Sequence, residues 1–355
     1  MITLHQLLKA AVKQGASDLH IVSGSPPILR INGRVVRVKT GNLTAADTQR
    51  LCYSILTDNQ KSQLENSKDF DFSFGIKDLA RFRANLFFQR GMLSGVFRRI
   101  PFGVPDLENL GLPNVVGDFS AFPNGLVLVT GPTGSGKSTT LAAIIDKINR
   151  ERRSHIVTLE DPIEYVHTHK SCIVNQREIN VDTGSYSKAL KYILRQDPDI
   201  CLIGEMRDPE TMEAALSVAE TGHLVFSTLH TNSAVDSISR IVSSFSSNQQ
   251  DRVRSQLSMV LRAVLSQRLI PATVDGMAIA TEVLTMTPGI ANLIREAKLH
   301  QIYGVMQVNQ KKTGMQTLNQ SLFNLIMKRK VEIKTAFEYS PDPEELDKLL
   351  KRAGV

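Results

Sequence analysis

The sequence predicts an α/β protein in two parts: a small α+β domain over residues 1–100 and a domain built on a doubly wound parallel sheet over 114–355. Three observations carry this. At 355 residues the chain is long for one hydrophobic core. Residues 1–100 show strand alternation without a βα repeat, whereas beyond residue 113 apolar runs alternate with helical periodicity. The stretch Gly131-Pro132-Thr133-Gly134-Ser135-Gly136-Lys137-Ser138 fits the phosphate-loop pattern G-x-x-x-x-G-K-[ST], which requires a strand before it and a helix after it.

In order along the chain, Met1 to Leu8 reads as the start of an amphipathic helix and not as a signal peptide. Leu29-Arg30-Ile31, Asn32-Gly33 and Arg34 to Val38 have strand–turn–strand form, with Asn-Gly the hairpin signal. A helical stretch follows around Thr44 to Leu64, and then strands at Phe70–Phe74, Arg81–Phe87 and Ser94–Ile100. Residues 101–113 carry three prolines and two glycines with little periodicity, and are expected to form the interdomain linker.

Gly125 to Thr130 is an apolar run that reads as a buried parallel strand. Leu141, Ile144, Ile145 and Ile148 then recur at helical spacing. Glycines let backbone N–H groups approach phosphate oxygens, and the helix N-terminus adds a favourable dipole. On this reading Gly131 to Thr139 binds the nucleotide, Lys137 reaches the β- and γ-phosphates, and the Ser138 hydroxyl ligates Mg²⁺.

Three further apolar runs end in polar groups. Ile156–Leu159 ends in Glu160-Asp161-Pro162-Ile163-Glu164, Ile200–Gly204 ends in Glu205, and Leu224–Thr228 leads into Leu229-His230-Thr231. Ligands of open parallel sheets bind outside the carboxyl ends of the strands, so these groups are delivered to the edge that holds the phosphates. Glu205 is expected to polarise the attacking water and help hold the metal's water shell. Asp208 suits the start of the next helix better than Glu205 does. Glu164 is the preferred second acid of the box, and His230 is placed to sense the γ-phosphate. From about Asn248 the chain reads as mainly helical, with one helix expected over Gly289 to Gln307.

Composition removes several classes. The apolar fraction of 42% and charged fraction of 22% are those of an ordinary globular protein. No window holds the run of about 20 apolar residues that a membrane span needs. Cys52, Cys172 and Cys201 are widely spaced and odd in number, so reduced buried thiols and a cytosolic setting are expected, and a four-cysteine zinc site is excluded. The net charge of +7 is spread out, without the aromatic platform of a single-strand binder, so no nucleic-acid partner is expected.

Four blocks together resemble the type II/IV secretion ATPases: Gly131–Thr139, Thr158–Tyr165, Pro198–Asp208 and Thr221–Thr231. Within them the chain resembles the type IV pilus retraction motors (PilT-type), from Ser17-Asp18-Leu19-His20 to the C-terminal helices. The resemblance implies a PAS-like N-terminal domain, a RecA-like ATPase domain with a helical C-terminal part, ATP and Mg²⁺, and a homohexameric ring. It implies a cytoplasmic ring, peripheral at the inner face of the cell membrane, acting on a pilus platform protein to drive twitching motility. Arg83 and Arg98 match the family's arginine-bearing segment, and guanidinium groups suit charge developing on a γ-phosphoryl group. Retraction in particular is implied by the lack of a long extra N-terminal domain and of a tetracysteine site. Gly289-Ile290-Ala291-Asn292-Leu293-Ile294-Arg295-Glu296 also resembles the signature Ala-Ile-Arg-Asn-Leu-Ile-Arg-Glu, departing from it at Gly289 and Ala291. Alternatives are an accessory paralogue, a nucleotide-gated ring subunit with little hydrolysis, and a DNA-translocating motor, against which the dispersed basic residues speak.

Overall fold

The computed structural model describes residues 2–31, 33–77, 79–100, 103–274, 276–308 and 313–354. Asn32 of the expected hairpin turn and Pro101 and Phe102 of the expected linker lie outside them. The chain divides into two compact units, Met1–Gly103 and Val104–Val355.

In the first unit, helix α1 (Leu4–Lys13) starts at a reciprocal cap in which Thr3 and Gln6 satisfy each other's backbone N–H groups. Strands β1 (Asp18–Ile21), β2 (Ile28–Ile31) and β3 (Arg34–Arg37) precede helices α2 (Ala45–Tyr53) and α3 (Asp58–Ser67). Strands β4 (Asp69–Ile76), β5 (Ala80–Gln89) and β6 (Met92–Ile100) follow. Among the described residues they form a six-stranded sheet in the order β3-β2-β1-β6-β5-β4, antiparallel throughout. Leu7 and Leu8 of α1, Leu51 of α2 and Leu64 of α3 pack with Phe82, Leu86 and Phe97 of the sheet as its core.

The second unit opens with the short helix α4 (Val115–Asp118) and continues β7 (Gly125–Thr130), α5 (Lys137–Glu151), β8 (His155–Glu160) and β9 (Ile173–Glu178). Next come α6 (Tyr186–Ile193), β10 (Ile200–Ile203), α7 (Pro209–Glu220), β11 (Leu224–Leu229), α8 (Ala234–Ser243) and α9 (Gln250–Val260). Among the described residues a seven-stranded sheet runs β13-β12-β7-β11-β10-β8-β9, where β12 is Leu261–Pro271 and β13 is Met277–Thr285. All neighbours are parallel except β12 and β13. Strand periodicity splits the central residues between two cores. Leu126, Leu128, Val225 and Ile203 face one cluster, and Val127, Val129, Phe226 and Leu202 face the other with α5.

The segment after Asn248 is mainly helical as expected, but it also contains the long β12–β13 hairpin, which follows α9 and extends the sheet. Polar Arg262, Ser266, Gln267 and Arg268 interrupt the apolar run of β12 and hid its strand character. One expectation is corrected: Gly289–Gln307 is not one helix. Helix α10 (Pro288–Arg295) stops at a cap on Glu296, Ala297 takes a left-handed φ of 58°, and α11 (Ile302–Val308) begins afresh. Helices α12 (Leu318–Met327), α13 (Ile333–Tyr339) and α14 (Pro343–Arg352) complete the described chain.

Candidate active site

The register of the central strands sets the site. Leu229 at the end of β11 stands level with Thr130 at the end of β7, and Ile203 of β10 with Leu159 of β8. The segments that follow (131–136, 230–231, 204–207 and 160–164) therefore leave the sheet along one edge.

The phosphate loop joins β7 to α5, with Gly131, Gly134 and Gly136 all at positive φ. Lys137, the first residue of α5, is buried, and its Nζ donates to the carbonyls of Gly131 at 2.8 Å and Pro132 at 3.1 Å. Burial lowers its pKa, while the carboxylates of Glu205 and Glu164 oppose that fall, so these three charges share one field. The Ser135 hydroxyl is buried in the loop without a hydrogen-bond partner. An orphaned donor, a buried ammonium and glycine-rich backbone at a helix N-terminus fit an anionic phosphate group. Thr139, in the first turn of α5, bonds the Tyr165 hydroxyl at 2.9 Å and ties the acidic box to the loop.

Glu205 lies just past β10. Its Oε2 accepts from Arg207 Nε at 2.8 Å, and its Oε1 lies 3.3 Å from His230 Nε2. Asp208 caps α7 through the Thr211 N–H at 2.8 Å, so Glu205 has no capping duty. Gly204 before it is required by space, because a Cβ there would sit 2.9 Å from the Tyr186 hydroxyl. The Thr228 hydroxyl donates to the Gly204 carbonyl at 2.6 Å and locks β10 to β11 just below the acid.

The box after β8 divides sharply. Glu160 is buried, accepts from the Thr158 hydroxyl at 2.6 Å and Gln176 Nε2 at 3.1 Å, and has its pKa pushed up to about 7, chiefly by burial. Glu164 is exposed. His223 bonds Thr221 and the Val218 carbonyl at the end of α7, a structural role. Among the described residues no cluster of His, Cys, Asp and Glu is built to hold a metal ion by itself. The structure thus brings Lys137, Ser138, Glu164, Glu205 and His230 to one edge of the second unit.

Arg83 and Arg98 belong to the first unit, directly opposite each other on β5 and β6. Arg98 Nε donates to buried Asp18 at 2.9 Å. Burial alone would raise the Asp18 carboxyl, but the bonds from Arg98 and Ser17 outweigh it and hold the pKa below its ordinary value.

Sequence reasoning did not single out Arg207, Tyr165 or Gln267. Arg207 was visible as the only basic residue between two acids, Glu205 and Asp208, whereas the other two are connected to the site only by tertiary contacts. The cysteines are free and buried, and among the described residues no helix is long and apolar enough to cross a membrane.

Comparison with known proteins identifies the family and the fold. The family model described as type II/IV secretion system protein matches residues 1–335. The chain is 48% identical over 339 residues to the type IV pilus retraction ATPase PilT of Pseudomonas aeruginosa, covering 96% of this chain and 98% of that one. It is 44% identical to a twitching motility protein of Neisseria gonorrhoeae, covering 90% and 86% of the two chains. A crystal structure of the pilus retraction motor PilT with bound ADP superposes with a TM-score of 0.93 at 48% identity, covering 98% of this chain and all of that one. The chain belongs to the type II/IV secretion system protein family and, within it, to the type IV pilus retraction ATPases.

Proposed function

We propose that this chain is the ATPase motor of type IV pilus retraction, hydrolysing ATP to drive twitching motility. The observation that carries the chemistry is the juxtaposition of Lys137, in its phosphate loop, with Glu205 and Glu164 at the carboxyl edge of the parallel sheet. Gly131 to Thr139 embraces the phosphates of ATP. Lys137 leaves the carbonyls of Gly131 and Pro132 for the β/γ oxygens, exchanging neutral acceptors for charged ones. Ser138, and Glu205 through water, would hold Mg²⁺, which would supply positive charge to the phosphate oxygens.

Glu205 orients and deprotonates the attacking water, with Glu164 as the second acid. Its contacts with Arg207 and His230 hold the carboxylate in place and allow His230 to report the γ-phosphate to β11. Arg83 and Arg98 act as charge-stabilising arginines within a homohexamer; Arg98 would exchange Asp18 for phosphate to do so. The ring works in the cytoplasm, at the inner face of the membrane, against a pilus platform protein.

The test is complementation of a retraction-defective strain alongside hydrolysis by the purified chain, comparing wild type with Glu205→Gln. Wild type should restore twitching and turn over Mg·ATP, and Glu205→Gln should do neither. Twitching restored by both would remove hydrolysis at Glu205 from the motor.

A further inference from the structure

Strand β12 runs parallel to β7 with Ser266 opposite Thr130, so Gln267 comes level with Gly131, the first residue of the phosphate loop. The Gln267 side chain is completely buried. Its Nε2 donates to the Ser135 carbonyl at 2.6 Å, and its Oε1 accepts from the Thr140 hydroxyl at 3.0 Å. The partners fix the orientation of the amide, since a carbonyl can only accept. One side chain thus grips the loop at Ser135 and the first turn of α5 at Thr140. The backbones also meet: a Cβ on Gly131 would lie 2.2 Å from the Gln267 carbonyl oxygen, and Gly131 has a φ of +139°. Strand and loop are packed with no room for a side chain between them.

We propose that Gln267, with Thr140, is a positioning residue that holds the phosphate loop in its nucleotide-receiving shape, an inference that rests on reading this loop as a nucleotide site. In a trans peptide the N–H points opposite to the C=O, so tethering the Ser135 carbonyl directs the Gly136 N–H away from β12. Loops that bind phosphate do so through such backbone N–H groups, and their aim decides affinity. Without Gln267 the Ser135 peptide can rotate, and a buried carbonyl and a buried hydroxyl lose their partners. The tether also links nucleotide affinity to the second half of the unit. Neighbouring Arg268 reaches the Tyr339 carbonyl at the end of α13, so consecutive residues of β12 touch the phosphate loop and the C-terminal helices.

The test is equilibrium binding of a fluorescent ADP analogue to the full chain, with thermal midpoints measured in parallel. Thr140→Ser keeps the hydroxyl and should bind within about twofold of wild type, whereas near-isosteric Thr140→Val should bind about five- to tenfold more weakly. Gln267→Leu should lose tenfold or more, and adding Thr140→Val to it should cost little further, because both act through one amide. If Gln267→Leu does not fold, the Thr140 pair decides. Val and Ser variants with equal wild-type affinity would overturn the proposal, whatever their thermal midpoints, and reduce the contacts to strand-to-helix packing. Lys137→Ala separates the two readings. Binding abolished by Lys137→Ala but untouched in the clamp variants sinks only the clamp; a wild type that binds no nucleotide sinks the site and the clamp with it.

Discussion

Glu282 offers a test of the energetics on which the site rests. It lies on β13 and is 4% exposed; its Oε1 accepts the Ala234 N–H at the start of α8 at 2.7 Å, and its carboxyl also bonds backbone at Leu318, the first residue of α12. It thereby pins the helix after the His230 segment to the C-terminal helices. Burial outweighs these bonds and raises its pKa from 4.5 to about 7. Between those values the folded protein keeps a proton that the unfolded chain has released. The folded state binds more protons, so this group's contribution to stability falls as pH rises. The full effect is about 3 kcal/mol, most of it developing between about pH 5 and about pH 8. Glu282→Gln cannot ionise and loses that dependence, although its amide offers one acceptor oxygen where the carboxyl offers two. Urea unfolding followed by far-UV circular dichroism, across that range and without nucleotide, gives the difference between wild type and variant. The variant should be clearly destabilised near pH 5 and should gain about 2–3 kcal/mol relative to wild type by pH 8. Parallel stability curves would show that Glu282 does not carry a proton in the folded protein, and the argument from burial would fail.

Other outcomes are open to the same scrutiny. Lys137→Ala should abolish nucleotide binding, and Glu205→Gln should bind ATP yet hydrolyse it at least ~10²-fold more slowly in a steady-state phosphate-release assay; wild-type turnover removes Glu205 from the chemistry. If Arg98 acts across subunits, mixing Arg98→Ala with Lys137→Ala chains should restore measurable hydrolysis, whereas proven co-assembly with no activity counts against it. Arg295→Ala, on the exposed side of α10, should leave hydrolysis intact and reduce retraction in a twitching assay; normal retraction makes α10 a scaffold only. The packing control for that helix is Ile294→Ala, expected to cost ~2–5 kcal/mol of unfolding free energy, because Ile294 is fully buried whereas Leu293 is only half-buried.

Much of this protein was legible in its sequence because the signals are local. Apolar runs that end in Gly131–Ser138, Glu160–Glu164, Glu205 and His230 specify parallel strands whose carboxyl ends face one edge, and β7, β8, β10 and β11 lie there in register. Asp208 followed by Pro209 marks the start of α7, and Leu141, Ile144, Ile145 and Ile148 mark the buried face of α5. The hairpin of β12 and β13 was not legible. A strand with Ser266, Gln267 and Arg268 on it loses the simple apolar pattern, and the buried amide of Gln267 is tolerated only because distant groups satisfy it. Gln267 is paired by Ser135 and Thr140, residues more than 120 positions away along the chain. The break after α10 was not legible either: Ala297 adopts a left-handed φ that its side chain does not favour, and the Lys298 N–H closes the helix on the Leu293 carbonyl at 2.8 Å. Sequence by itself thus determined which chemistry the sheet edge carries, because periodicity and spacing are properties of neighbouring residues. Tertiary structure decided how that edge is held, because a buried hydrogen bond between remote residues leaves no periodic trace in either segment.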